Sequence, residues 1–186
     1  MKNYYNKALL IALITFLGSQ FNVLQAAKNL GAEETENSDA EETEDSKDSL
    51  SFSDRPESCE LSDLALRIMI PMSPKQVFFL SLDGYTKLSD ETIEAFVKKW
   101  PNLRSISLDG CTGLTDQTLL YINNYCTQLQ SLTLTKCKNI QDDTALKILV
   151  RQNKNLKYLN LSKTPLASPT IKNALIAINS NLKVDI

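Results

Sequence analysis

Residues Leu103–Cys137 read LRSISLDGCTGLTDQTLLYINNYCTQLQSLTLTKC, which is one structural unit followed by the beginning of the next. The unit opens with an apolar-x-x-apolar-x-Leu pattern that occurs four times, at starts 26, 26 and 27 residues apart. A truncated fifth start is predicted at Leu182, 26 residues after the fourth. Self-similarity at a period of this length is typical of proteins built by stacking like units. The four complete starts are Val77, Leu103, Leu129 and Leu156.

Each unit combines two periodicities. Apolar and polar residues alternate from Ser105 to Asp109, which predicts a strand with one buried face. Leu119, Ile122 and Cys126 then recur at helical spacing. One unit cannot bury its own apolar face, so neighbouring units must share a core, in which each buried leucine contributes about 1.5–3 kcal/mol. The sequence therefore predicts an α/β fold, a leucine-rich repeat solenoid with a parallel β-sheet on the concave side and helices on the convex side.

The second half of the unit carries a more specific pattern. The segments Cys111–Asp116, Cys126–Leu129 and Cys137–Asp142 resemble the cysteine-containing leucine-rich repeat subfamily, as in F-box/leucine-rich-repeat proteins. Those proteins are substrate receptors of ubiquitin ligases. The resemblance covers residues 77–186 and implies buried cysteines that stack from repeat to repeat. No F-box-like helical segment is recognisable, so the resemblance extends to the repeats and not to the ubiquitin role. Other residues stand at three of the cysteine positions, namely Tyr85, Asn153 and Thr164.

Residues 1–27 have the features of a secretory signal peptide. Lys2 and Lys7 precede an apolar run from Ala8 to Leu17, and the small residues Ala26 and Ala27 follow. An uncleaved membrane anchor is the alternative, but the apolar run is too short to cross a bilayer. We therefore predict cleavage near Ala26 or Ala27, no stable membrane insertion after cleavage, and a secreted or periplasmic location.

Residues 28–49 form an acidic stretch. Between Glu33 and Asp48 there are nine acidic residues and one lysine, with no aromatic residue and no Leu, Ile or Val. Such a composition cannot bury enough apolar surface to offset its chain entropy, so we predict a disordered acidic linker. A cation-attracting tail is the alternative, but the carboxylates show no regular ligand spacing.

Residues 50–76 are predicted to form an N-terminal capping helix or degenerate repeat that covers the end of the core. Pro71 and Pro74 stop this helix, and Ser62-Asp63 caps its start. The predicted apolar stripe consists of Leu61, Leu64, Ala65, Ile68 and Met69.

Pairs of polar residues recur where each helix of the repeats begins. Side-chain oxygens at these positions accept hydrogen bonds from unpaired backbone N–H groups, so we interpret the aspartates as helix caps and not as catalytic carboxylates. The last helix begins with a proline at its first position, which fits the same interpretation. These pairs are Ser89-Asp90, Thr115-Asp116, Gln141-Asp142 and Ser168-Pro169.

The composition disfavours an enzyme. The chain has no histidine, which excludes Ser-His-Asp and Cys-His catalysis and removes the commonest zinc ligand. There is no glycine-rich phosphate loop, and we predict no cofactor and no metal. Residues 49–186 contain 16 basic and 13 acidic residues without clustering, so nucleic acid is not a predicted partner.

The four cysteines allow two interpretations. A secreted chain suggests disulfides, and the equivalent residues Cys111 and Cys137 should stack about 5 Å apart. Their side chains would run parallel, however, which suits a disulfide torsion poorly, so we favour reduced thiols at Cys111, Cys126 and Cys137. Cys59 lies outside the repeats and has no evident partner.

The concave face is the candidate binding site, because the polar residues of each strand point outward there. Its side chains are small and hydroxyl-rich, with two aromatic residues and two aspartates. Aromatic side chains are frequent anchors in protein interfaces. The first predicted row is Phe79, Ser105, Ser131 and Tyr158; the second is Ser81, Ser107, Thr133 and Asn160; the third is Asp83, Asp109, Thr135 and Ser162.

From these features we predict a secreted or periplasmic protein–protein interaction module that binds a protein partner through its concave sheet. The alternative keeps the module but makes it an intracellular adaptor of the F-box-associated kind, with the N-terminus misassigned. An enzyme is the least supported of the three possibilities.

Overall fold

The computed structural model describes residues 49–51, 63–73 and 75–186. Strands and helices alternate along the repeats, and every strand has three residues. The predicted signal peptide, the predicted linker up to residue 48, and Cys59 lie outside the described residues. In chain order the elements are β1 (Ser49–Ser51), α1 (Asp63–Met69), a 3₁₀ helix (Ile70–Met72), β2 (Phe79–Ser81), α2 (Asp90–Lys99), β3 (Ser105–Ser107), α3 (Asp116–Tyr125), β4 (Ser131–Thr133), α4 (Asp143–Gln152), β5 (Tyr158–Asn160), α5 (Pro169–Ile178) and β6 (Lys183–Asp185).

All six strands form one parallel sheet in sequence order, β1 to β6. A helix separates each strand of the repeats from the next, and consecutive helices pack against each other from α1 to α5. Because each helix returns the chain to the same edge, every strand is placed beside its predecessor in the same direction. The prediction of a leucine-rich repeat solenoid, with the sheet on the concave side and helices on the convex side, is confirmed.

The core runs between the sheet and the helices along the whole solenoid. The central residues of β2 to β6 stack as one apolar column in which no member is more than 2% exposed. Leucines that follow the strands form a second buried column, closed from the helix side by residues such as Ile93 and Leu119. The apolar periodicity of the repeats therefore specifies this core. The central column is Leu80, Ile106, Leu132, Leu159 and Val184.

The turn after each strand has the same backbone conformation in four repeats. Gly84 and Gly110 have φ of 77° and 75°, and Lys136 and Lys163 hold the equivalent places with φ of 63° and 61°. A non-glycine residue there costs about 1–2 kcal/mol, since its Cβ crowds the following carbonyl. Hydrogen bonds between repeats fix this turn; for example, the Gly110 N–H donates to the Thr135 carbonyl at 2.6 Å.

The repeat that begins at Leu182 reaches its strand one residue sooner than the other repeats do. The pattern at Leu182 would bury residue 185, but β5 pairs Leu159 with Val184, which is 2% exposed, while Asp185 is only partly buried. Leu182 itself is buried, so the repeat begins where predicted, but its strand follows after one residue fewer. The strand β6 therefore adds Lys183 and Asp185 to the concave face.

The N-terminal region differs from the prediction in two respects. Ser49–Ser51 forms the strand β1 beside β2, although Ser49 was assigned to the linker and no strand was predicted. Helix α1 exists, but its predicted stripe is wrong, because Leu64 is 63% exposed and Ile68 is 38% exposed. The buried residues are Leu66, on another face of this short helix, and Ile70, the first residue of the 3₁₀ helix that follows it.

In the part of the chain that the structure describes, none of the helices has the length and apolar character needed to cross a membrane.

Candidate functional site

The first predicted row of the concave face is a continuous line of neighbours. Phe79 pairs with Ser105, Ser105 with Ser131, and Ser131 with Tyr158 in the register of β2 to β5. At the usual spacing of parallel strands, the two aromatic residues are about 14 Å apart, across two serines. The sequence predicted this adjacency correctly, because alternation fixes which strand residues face away from the core.

The two ends of this row differ in exposure and in their contacts. Phe79 is 40% exposed, and it is one of the few large apolar side chains in the described repeats that face solvent. Ser105 and Ser131 are partly buried, and their hydroxyls make no hydrogen bond to another described residue. The floor between the aromatic residues is therefore open and has unused hydrogen-bonding capacity. Tyr158, in contrast, is held in place by other side chains.

Tyr158 is fixed by the residues of the last strand. Its hydroxyl donates to the Asp185 carboxylate at 2.8 Å, and the Lys183 ammonium lies 5.4 Å from the centre of its ring. Lys183 and Asp185 are themselves 3.8 Å apart. The hydrogen bond to Asp185 raises the pKa of Tyr158, and burial acts in the same direction. Lys183 and Asp185 also belong to this face, and they were not predicted because no strand was assigned after the truncated start at Leu182.

The second row is connected internally by hydrogen bonds. The Ser107 hydroxyl donates to Asp83 at 2.6 Å and shares a hydrogen bond of 2.8 Å with the Thr133 hydroxyl. Ser81 also donates to Asp83, at 3.0 Å. Asn160, the fourth member, accepts from the backbone N–H of Ser162 at 2.9 Å. These polar groups satisfy each other, so the second row has less capacity for a partner than the first.

The third row connects successive repeats. The backbone N–H of Asp109 donates to the Asp83 carboxylate at 2.9 Å, and the N–H of Thr135 donates to Asp109 at 2.7 Å. Each aspartate thus satisfies a backbone donor of the following strand end. Ser162 completes the row and is partly buried. Asp83 and Asp109, which were predicted to belong to the binding face, have this structural use.

The polar residues at the helix starts have two separate roles. Ser89, Thr115, Asp142 and Ser168 are N-caps whose side-chain oxygens accept from backbone N–H groups of their own helix. Capping at these positions is therefore confirmed for the residue that precedes each helix. The aspartates at the first helical position behave differently.

Asp90 bonds to the next repeat instead of capping its own helix. Its carboxylate accepts from the Thr115 backbone N–H at 3.0 Å, from the Thr115 hydroxyl at 2.6 Å, and from the hydroxyl of the buried Thr118. Asp63 does the same for Ser89, accepting from its N–H and its hydroxyl at 2.9 Å each. Burial alone would raise the pKa of Asp63, but hydrogen bonds with the Thr92 side chain and with Ser89 together outweigh it and hold that pKa below its usual value.

The three described cysteines are buried thiols, and none of them forms a disulfide. The Cys111 sulfur donates to the Leu82 carbonyl at 3.0 Å, and the Cys137 sulfur donates to the Leu108 carbonyl at 3.1 Å. Burial raises the pKa of Cys126 and of Cys137 to about 12. The thiols are thus packing groups and not nucleophiles. Within the described ranges, no group of three or more His, Cys, Asp or Glu side chains could hold a metal ion.

Comparison with known proteins shows likeness at the level of the fold. No family model matches the chain, and no curated protein matches its sequence. A chain in the crystal structure of the Rad7 and Elc1 complex in yeast is 19% identical with a TM-score of 0.58; the match covers 73% of this chain and 31% of that one. The present chain therefore spans about a third of that neighbour. The tropomodulin C-terminal domain of Caenorhabditis elegans is 14% identical over 65% of this chain and 77% of its own, and its TM-score of 0.47 is too low to establish a common fold.

Proposed function

We propose that this chain is a protein–protein interaction module that binds a segment of a protein partner across its concave sheet. The observation that carries the proposal is the row Phe79, Ser105, Ser131 and Tyr158. It offers an exposed aromatic residue, two uncommitted hydroxyls and a second aromatic residue held rigid by Asp185. A rigid anchor loses little conformational entropy on binding, which favours affinity. The remaining concave residues would contribute surface complementarity more than binding free energy, because their polar groups already have hydrogen-bond partners.

The described residues support binding more than catalysis. They include no histidine, burial raises the pKa of the Cys126 and Cys137 thiols, and Asp83 and Asp109 accept from backbone donors of adjacent repeats. The similar solved structure that shares the fold is described as a complex of two proteins, which is consistent with a binding role. We also assign the repeats to the cysteine-containing subfamily, on the sequence pattern and on the sulfur-to-carbonyl hydrogen bonds between repeats.

The experiment that tests the binding proposal is affinity purification with the full-length chain as bait, compared across variants by quantitative mass spectrometry. Ser131→Arg places a long cation in the open floor, and Phe79→Ala removes the exposed anchor. Lys147→Ala is the matched control, since Lys147 lies on helix α4 of the same repeat and pairs with Asp143 on the convex side. A genuine partner should be lost with both concave variants and retained with the control. Retention with the concave variants and loss with Lys147→Ala would place the partner on the convex side.

For location, we propose a secreted or periplasmic protein, on the basis of the signal-like residues 1–27. The competing proposal is an intracellular adaptor of the F-box-associated kind. The intact mass of the protein from its native cell separates them, because a mature chain beginning near Ala27 or Lys28 excludes the adaptor. A chain that retains Met1 in a membrane fraction would contradict export with cleavage.

A further inference from the structure

Basic side chains line the edge of the sheet where the strands begin. Arg104, Gln130 and Lys157 directly precede β3, β4 and β5, and Lys183 opens β6. Their backbones are joined in series, since the N–H of each of the last three donates to the carbonyl of the one before at 2.7–2.8 Å. Arg104, Gln130 and Lys157 therefore stack at successive strand spacings, about 5 Å apart, whereas Lys183 pairs with Tyr158 and lies one residue further along its strand. We call Arg104, Gln130 and Lys157, together with the adjoining Lys183, the amino-end row.

The cations of the amino-end row are poorly neutralised by the described residues. All four members of the row are exposed. The Arg104 guanidinium lies 4.6 Å from the centre of the Phe78 ring, and no described carboxylate pairs with it or with Lys157. Lys183 approaches Asp185 only at 3.8 Å, with 72% of its side chain exposed. Like charges in such a row repel each other, so an anionic partner there would relieve an unfavourable arrangement.

The sequence supplies a matching anionic segment that ends at this same edge. Glu33–Asp48 carries nine acidic residues and one lysine, and Asp48 directly precedes β1 at Ser49. Because all strands are parallel, the amino end of β1 lies on the same edge as the amino-end row. Sixteen extended residues reach up to about 53 Å, whereas β5 lies only about 19 Å from β1 across the sheet.

We propose that the acidic segment Glu33–Asp48 binds along the amino-end row of its own chain. Tethering favours this occupant over a separate acidic protein, because a short linker gives an effective concentration in the millimolar range. Weak ion pairs are therefore sufficient. The opposite edge of the same repeats also has exposed lysines, Lys136 and Lys163, but the segment does not join the sheet on that side. The proposal does not depend on partner binding by the concave face.

Zero-length cross-linking of the full-length chain with a carbodiimide tests this placement. The reagent joins a lysine amine to a carboxylate in direct contact, and the linked peptides are identified by mass spectrometry. Cross-links from Glu33–Asp48 should form with Lys157 and Lys183, should be rare with Lys136 and Lys163, and should disappear in 1 M salt, where the Debye length is about 3 Å. Their yield per molecule should not change on dilution.

Two matched double variants test whether the acidic segment binds at the amino-end row or is held by general electrostatic attraction to the protein. Arg104→Gln with Lys157→Gln removes two charges, and Gln130 shows that the row accepts glutamine. This variant should lower the cross-links to Lys183 by about two- to thirtyfold, the range expected for two exposed ion pairs. Lys136→Gln with Lys163→Gln removes the same charge from the opposite edge and should leave those cross-links unchanged. Equal cross-linking of both edges would overturn the proposal, as would links found only in cross-linked dimers, which would make a second copy the occupant.

Discussion

Asp90 and Asp143 occupy the same position, the first residue of a helix, but the structure gives them different roles. The Asp90 carboxylate holds the next repeat through the Thr115 backbone N–H, the Thr115 hydroxyl and the fully buried hydroxyl of Thr118. Asp143 has no such contact, because the Ser168 N–H of the next repeat donates instead to the Leu166 carbonyl at 2.8 Å. Replacing each aspartate by alanine should therefore have unequal effects on stability.

The expected magnitudes follow from these contacts. Asp90→Ala leaves the Thr118 hydroxyl buried without its acceptor, at a cost of about 1–3 kcal/mol, and also removes two hydrogen bonds to Thr115. We expect Asp90→Ala to lower the free energy of unfolding by about 2–4 kcal/mol in total. Asp143→Ala removes a 2.7 Å contact with Lys147, and because water screens this exposed pair, we expect a much smaller loss of stability than for Asp90→Ala. The interaction with the helix dipole is common to both positions and cancels in the comparison.

Urea denaturation of the two full-length variants, followed by circular dichroism, measures this difference. For a typical slope of about 2 kcal/mol per molar urea, Asp90→Ala should lower the midpoint by about 1 M or more, and Asp143→Ala by less than about 0.3 M. Equal shifts for the two variants would refute the role of Asp90 as a bridge between repeats. They would indicate that both aspartates act only through the helix terminus.

Three further predictions test the core, the turns and the thiols. Leu132→Ala should cost about 2–5 kcal/mol because the residue is fully buried, whereas Ser131→Ala on the concave face should cost less than about 0.5 kcal/mol; similar denaturation midpoints would contradict the strand register. Gly110→Ala should cost about 1–2 kcal/mol through its φ of 75° alone, because the nearest atom to the new Cβ is 3.5 Å away; an unchanged midpoint would contradict this conformation. The thiols of Cys126 and Cys137 should react with a labelling reagent only after unfolding, and labelling of the folded protein would contradict their burial. The pKa of each of these thiols is about 12 in the folded protein, whereas the pKa of an exposed thiol is near 9. Their contribution to stability is therefore complete below pH 9 and is lost as the pH rises towards 12. Alanine at both positions should reduce this loss of stability at high pH.

The sequence predicted the position of residues correctly where one residue type recurs at a fixed period and only one placement fits that period. The buried strand centres illustrate this: Ile106 and Leu132 recur 26 residues apart between polar neighbours, so the buried column and the outward row containing Ser105 and Ser131 could both be predicted. The capping residues Ser89 and Thr115 were found for the same reason, since a hydroxyl before a helix has a standard use.

The sequence was less informative where two placements fit the same pattern. In β6, the repeat pattern that starts at Leu182 and the alternation of Leu182, Val184 and Ile186 place the strand in different registers, and the structure has the second. In α1, the seven-residue helix allows two apolar stripes, and only packing against α2 selects Leu66 over Leu64. The bridge made by Asp90 depends on the spacing between repeats, which the local sequence does not encode.

The central claim is that Phe79 and Tyr158 define a partner-binding row on the concave face. It is tested most directly by titrating the purified partner, once captured, against Phe79→Ala and Lys147→Ala by isothermal calorimetry. Loss of an aromatic anchor typically costs about 2 kcal/mol or more, so Phe79→Ala should weaken binding about thirtyfold, while Lys147→Ala should change it less than about twofold. If Phe79→Ala bound as tightly as the unmodified chain and Lys147→Ala bound weakly, the concave assignment would be contradicted.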